Sequence, residues 1–323
     1  MAALALAAAA LAGSAAVVAL LLHFAHRLPS DTPNERSLHQ RPVPRGGGLA
    51  LWAGFLPAAL LMPPQVPGAW GIWLLCTGVL TVISFADDVR GVPAAIRLAL
   101  QVTAALTVAL HMPVGWPWAL LGALTIVWGA NLYNFMDGSD GLAASMAIVG
   151  FAAYAVAGGM AGVPWMVFAA ISLAGAAFLP VNRPPARMFM GDVGAVPLGF
   201  LASAFGIAGV VQGWWPAWFP LLVFLPFVAD ATLTLARRAM RGERVWEAHR
   251  SHFYQRLNAS GAGHRGTLAI YGATMLACAA IAVVALRVAP STGWALLALA
   301  LLGHLIGFAA IDYHRRNMTS SGP

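Results

Sequence analysis

The chain has 323 residues, of which 60% are hydrophobic and 9% charged, with a mean hydropathy of +0.77. A soluble domain carries about 25% charged residues, so composition argues against a water-soluble globule. The net charge of +7 would suggest a nucleic-acid partner in a soluble protein; here it reads as the positive-inside pattern of a membrane protein, with no nucleic acid involved.

A bilayer-spanning helix needs roughly 20 mostly apolar residues. Eleven runs approach that length: 1–22, 46–62, 69–86, 93–112, 117–133, 140–158, 162–180, 194–211, 217–236, 267–287 and 291–311. They predict an all-α, polytopic membrane protein of about ten to eleven helices in a single domain over 1–323. Strand-period alternation is absent, which argues against a β-barrel. The first run could be a signal peptide. Nothing basic precedes it beyond the amino terminus, however, and Arg27 follows it, so a retained helix is expected. Cys76 and Cys278 sit inside apolar runs and read as packed thiols.

Every basic residue other than His is Arg. Threading the runs puts 23–45, 87–92, 134–139, 181–193, 237–266 and 312–323 on one side. These loops and the adjoining helix ends hold every Arg except Arg287, and all eleven acidic residues. That side is expected to be cytoplasmic, with the N-terminus outside and the C-terminus inside. The loops 23–45 and 237–266 are long and carry His, Arg and Trp, so they are expected to be functional.

Four polar patches fall on this face: FADDVRG (85–91), NLYNFMDGSDG (131–141), NRPPARMFMGDVG (182–194) and EAHRSHFYQRL (247–257). Any single Asp could simply end a helix or snorkel. Four patches together mark a functional path, because ionisable groups at membrane depth are costly. Asp87, Asp88, Asp137, Asp140 and Asp192 make an oxygen-rich set, and Mg2+ favours one or two carboxylates plus phosphate oxygens. Mn2+ is the alternative ion. Arg187 and Arg250 could clamp phosphate. The set reads as metal-assisted phosphoryl transfer at the inner membrane surface. A calcium loop fits poorly, since the closing Glu of an EF-hand is missing. His249 and His252 share a helical face and could bind zinc, but no Cys or third His is near. The sequons at Asn258 and Asn317 lie on the expected inner side and are discounted.

These motifs, in this order, resemble the polyprenyl-phosphate N-acetylhexosamine-1-phosphate transferases (glycosyltransferase family 4). The resemblance covers about 28–257. It runs from D-x-P-N-x-R-S-x-H and P-x-P-R-G-G-G (Asp31 to Gly48), through the FADD pair and Arg97-x-x-x-Gln101. It continues through N-x-x-N-x-x-D-G-x-D-G-L-A at 131–143, Asn182 with FMGD at 189–192, and HRSHFYQR. It implies attack by undecaprenyl phosphate on the β-phosphorus of a UDP-amino sugar, with UMP leaving, at the cytoplasmic face of a bacterial inner membrane. It also implies roles. Asp192 is the principal Mg2+ ligand, with Asp88 beside it. Asp87 and Asp88 handle the lipid phosphate, Asp87 as a base. Asp140 faces the uracil and Phe189 stacks on it. Asn134, Asp137 and Asn182 line the nucleotide site. His249 and His252 contact phosphate or sugar, and Arg41 or Arg45 replaces a family lysine. The chain departs from the family at Ala195, where Ser is common, and in the VRGVP after Asp88.

HRSHFYQRL resembles the branch that initiates O-antigen and common-antigen synthesis, which implies UDP-GlcNAc or a 6-deoxy relative as donor. A homodimer is left open. Three rivals remain at this level: an ion-coupled transporter, an Asp-rich membrane prenyltransferase, and a scaffold without catalysis. A transporter would place its ionisable groups near the midplane, whereas these cluster at one surface.

Overall fold

The computed structural model describes residues 2–33, 38–39, 41–62, 66, 68–163, 165–247 and 249–320. The helices are α1 (Ala2–His23), α2 (Gly48–Leu61), α3 (Trp70–Arg90), α4 (Ala94–Leu110), α5 (Trp116–Phe135), α6 (Leu142–Met160) and α7 (Met166–Asn182). They continue with α8 (Asp192–Val211), α9 (Trp218–Val223), α10 (Leu225–Met240), α11 (Phe253–Leu257), α12 (Gly263–Ala285) and α13 (Pro290–Ser320). Asn34, Arg36 and Ser37 of the first motif, and 63–65 and 67 of the loop before α3, lie outside the described residues.

Every predicted apolar run falls on helix, and the protein is an all-α polytopic membrane protein. Among the described residues, six stretches are long and apolar enough to cross a bilayer: Ala5–His23, Trp70–Arg90, Leu142–Met160, Asp192–Val211, Phe253–Ala285 and Ser291–His314. Helices α2, α4 and α7 are shorter apolar helices. The run 217–236 divides into α9 and α10 at Phe224 (φ −96°, ψ 11°). Pro226 falls in the first turn of α10, where its missing N–H costs nothing.

Helix α8 is the hub. Its apolar window is 83% buried, against 6% for α13. It packs on α3 and α5, with α2 and α4 alongside; α1 packs on α2 and α7, and α6 on α7 and α12. Both cysteines are free and buried. The first long loop forms a short antiparallel ladder, β1 (Ser30–Asp31) with β2 (Val43–Pro44), pairing Ser30 with Pro44. The second long loop carries α11 and a π turn at 258–262. Both expected functional loops therefore have structure of their own.

Candidate active site

Asp87 and Asp88 end α3 and, being successive helical residues, point in different directions. Asp87 Oδ1 accepts the Val92 N–H at 2.6 Å, and Oδ2 pairs with the Arg97 guanidinium of α4. The same guanidinium reaches Asp192 Oδ2 at 3.1 Å. Asp88 turns to α8 and accepts the backbone N–H groups of Asp192 (3.2 Å) and Val193 (3.0 Å). Those donors have no partner inside their own helix, and the helix dipole favours a carboxylate there. Gly191 (φ +76°) permits this approach: a Cβ there would lie 2.6 Å from Asp88 Oδ2.

The turn between α5 and α6 carries Asp137 and Asp140. Asp140 Oδ2 accepts the Ala186 N–H at 2.9 Å. Asn182, at the end of α7, accepts the Gly141 N–H at 3.1 Å and donates to the Met188 carbonyl at 3.0 Å. The chain after β2 runs beside 189–190: Phe189 N–H donates to Pro44 O, and the N–H groups of Gly47 and Gly48 donate to Phe189 O and Met190 O, all at 2.9 Å. This seats Arg45, which pairs with Asp31 at 2.7 Å.

These turns enclose a cavity of about 310 Å³. Asp31, His39 and Arg45 line it from the first loop, and Asn134, Asp137 and Asp140 from the α5–α6 end. Asn182, Phe189 and Asp192 face it from the third patch, Gln255 from α11 and His264 from α12. The Phe189 ring meets His39 edge-on, with centroids 5.0 Å apart. Burial pushes the Asp137 carboxyl well above the usual range, and the nearby Asp192 and Asp88 push it further; Arg45 and the Gly191 N–H oppose this. The cluster is thus short of positive charge. Its ligand atoms are all oxygens, the set that suits Mg2+. Among the described residues, no three His, Cys, Asp or Glu side chains form a metal cage by themselves.

The fourth patch is organised by a residue that sequence reading used only for its charge. Asp230 of α10 has no exposed surface. It accepts from Phe253 N–H (2.9 Å), Tyr254 N–H (2.9 Å), Tyr271 O–H (2.5 Å) and Thr234 O–H (3.2 Å), and lies 3.3 Å from His252 Nδ1. A buried carboxylate is tolerable only when it is this well satisfied. Gln255 Oε1 accepts the His252 N–H at 3.2 Å. Helix α11 is therefore anchored through its N-terminus, and its first turn puts Gln255 in the cavity wall.

The Glycosyl transferase family 4 model matches residues 70–210. A decaprenyl-phosphate N-acetylglucosaminephosphotransferase of Mycolicibacterium smegmatis is 30% identical, over 74% of this chain and 71% of its own. A probable undecaprenyl-phosphate N-acetylglucosaminyl 1-phosphate transferase of Bacillus subtilis is 26% identical, over 75% and 73%. An undecaprenyl-phosphate alpha-N-acetylglucosaminyl 1-phosphate transferase of Escherichia coli O157:H7 is 26% identical, over 89% and 86%. The chain belongs to glycosyl transferase family 4. As a member of that family it is a sugar-1-phosphate transferase of the membrane, and the transporter, prenyltransferase and scaffold alternatives fall.

Within this family-4 site the predicted residues divide. Arg45, Asn134, Asp137, Asp140, Asn182, Phe189 and Asp192 line one cavity. Asp87 and Asp88 stand behind that wall and reach it through Arg97 and the start of α8. His252 is buried against Asp230, and His249 is half-buried beside it, their rings 4.9 Å apart; neither lines the cavity. Arg187 and Arg250 are exposed and lie outside the lining. Residues not assigned a role from sequence include Asp31, His39, Gln255 and His264, which line the cavity, and Asp230, which organises α11. Of these, Gln255 stood in the quoted HRSHFYQR and Asp230 among the acidic residues. His264 had no local signal.

Proposed function

We propose that this transferase moves N-acetylglucosamine 1-phosphate, or the 1-phosphate of a 6-deoxy relative, from the UDP-sugar to undecaprenyl phosphate with Mg2+. The reading is supported by the relatives, whose names carry a polyprenyl phosphate and N-acetylglucosamine. The observation that carries it is the cavity: carboxylates crowded together, one arginine, and the rings of Phe135 and Phe189, at the end of an apolar helical bundle.

An oxygen of the lipid phosphate attacks the β-phosphorus. The bond from that phosphorus to the bridging oxygen breaks, UMP leaves with that oxygen, and the lipid carries a diphosphate-linked sugar. Asp137 and Asp192 would hold Mg2+, with phosphate oxygens and water as further ligands. When bound, the ion would neutralise diphosphate charge. Arg45 faces the same space and offers a guanidinium to phosphate. Asp87, held by Arg97, keeps that arginine beside Asp192. Phe189 offers a face for the base and Asp140 a carboxylate. A base is needed only in part, because the second pKa of a phosphate monoester is about 6. Positioning and charge neutralisation supply most of the catalysis.

On this reading the cavity opens at the cytoplasmic face of the inner membrane, the N-terminus is outside and the C-terminus inside. The reaction is then the first membrane step of a cell-envelope polysaccharide, in the O-antigen branch. The test is UMP release by purified protein in detergent, with undecaprenyl phosphate, Mg2+ and a panel of UDP-amino sugars. Release that needs lipid and ion, with one preferred sugar, and that is lost in Asp192→Asn, is the expected result. No release from folded protein across the panel would overturn the reading.

A further inference from the structure

His264 stands in the cavity wall and belongs to none of the motifs quoted above. It is the second residue of α12, and its half-buried ring joins three segments of chain. Nε2 lies 3.2 Å from the Leu38 carbonyl oxygen. A carbonyl only accepts, so Nε2 carries the proton. In the neutral ring Nδ1 is then the acceptor, and it lies 3.2 Å from both the Asp140 backbone nitrogen and the Ser139 Oγ. Asp140 Oδ1 is 3.3 Å from the same nitrogen. Asp140 Oδ2 is taken by the Ala186 N–H. Asp140 is thus held by the imidazole at its backbone nitrogen and by the turn before Phe189 at its carboxylate. Leu38 belongs to the first loop, so one ring ties that loop to the α5–α6 turn.

We propose that His264 is a positioning residue for uridine recognition: it sets Asp140 and the α5–α6 turn against the Phe189 side of the cavity. The inference rests on reading this cavity as the UDP-sugar site. It concerns the nucleotide half of the reaction alone, since His264 touches neither Asp87, Asp88 nor Arg97. The two ring nitrogens can be separated by substitution. In His264→Asn the amide stands near Nδ1 and retains the contact with the 139–140 turn. In His264→Gln it reaches Nε2 and retains the contact with Leu38.

The experiment measures UMP and UDP binding to the purified full chain by calorimetry, with steady-state kinetics and thermal unfolding in parallel. His264→Ala should weaken UMP binding and raise KM for the UDP-sugar, each by about tenfold, the equivalent of one or two hydrogen bonds. The KM for undecaprenyl phosphate and kcat should stay within about twofold, a split that a general loss of structure would not give. His264→Asn should recover most of the UMP affinity and His264→Gln should not. Unchanged UMP affinity in the Ala variant overturns the inference, as does a loss shared equally by lipid KM and kcat. If the Ala variant does not fold, equal UMP affinities in the Asn and Gln variants overturn it. Wild-type protein that binds no uridine nucleotide instead overturns the reading of the cavity, and the inference with it.

Discussion

Arg97 binds two carboxylates at once: Asp87 at the end of α3 and, 3.1 Å away, Asp192 at the start of α8. One guanidinium therefore ties together the ends of three helices beside the cavity. Replacing it leaves two partly buried carboxylates facing each other, each losing a charged partner worth about 1–3 kcal/mol. Arg97→Gln is expected to lower kcat/KM by about 100-fold and to reduce thermal stability. Arg97→Lys should recover part of the stability but less of the activity: Nη1 alone makes both contacts, and the shorter lysine side chain cannot bring its ammonium to the same point between the two carboxylates. Activity in Arg97→Gln equal to wild type would remove this residue from the machinery.

Asp88 has both oxygens on the backbone N–H groups that open α8. The resemblance assigned it to metal, whereas its contacts make it a helix cap supplied by another helix. The two roles separate in Asp88→Asn. An amide keeps one acceptor, so the cap loss should be about 1 kcal/mol. A cap alone predicts a modest drop in unfolding temperature with the Mg2+ dependence of UMP release unchanged. A direct ligand predicts a Mg2+ requirement shifted upward by tenfold or more. The contacts favour the first outcome, and a Mg2+ titration of both proteins decides.

The helices and the carboxylates were legible because a bilayer makes polar residues conspicuous. Asp137, Asp140 and Asp192 stand out from apolar runs, and the cavity gathers all three. His264 was not legible, because it meets Asp140 from 124 residues away and no spacing rule connects them. The fourth patch is arranged differently from what its sequence suggests, for a chemical reason. His249 and His252 attract attention as phosphate or metal partners, yet a buried Asp230 draws His252 inward and Gln255 takes the place at the cavity. Asp230 looked like a helix end because its five donors come mostly from chain that follows at 22 residues or more. The break at Phe224 went unread because apolar composition is continuous across it.

His249 should make the fold sensitive to acid. Burial pushes its pKa down to about 4, and the neighbouring His252 and Arg238 add to this, while Asp230 opposes. An unfolded histidine titrates near 6.5 (about). Between those values the unfolded chain binds a proton that the folded chain refuses, so stability falls as pH drops from about 7 to about 4 and levels off below. Replacing the ring removes that contribution. Unfolding temperatures of wild type and His249→Gln, measured in detergent across that range, should converge toward the acid end. Parallel curves would assign the acid sensitivity to other groups.

Gly138 offers the sharpest test of how α11 is seated. The Tyr254 O–H donates to the Phe135 carbonyl at 3.0 Å, passing so close to Gly138 that a Cβ there would lie 2.1 Å from the hydroxyl oxygen. Gly138→Ala must therefore push Tyr254 aside, and with it the segment that carries Gln255 to the cavity. Overpacking of this kind costs about 1–3 kcal/mol. The variant should lose stability on that scale and lose activity beyond it, because the displaced residues line the site. Tyr254→Phe alone gives up one hydrogen bond, about 1 kcal/mol. The double variant is the informative one: without the hydroxyl, the nearest remaining atom is the ring carbon Cζ, 3.2 Å from the new Cβ, a contact that small shifts relieve. Its stability loss should be smaller than the sum of the two single losses by a measurable coupling energy. Additive losses would mean that Gly138 matters for its backbone and not for the room it leaves Tyr254.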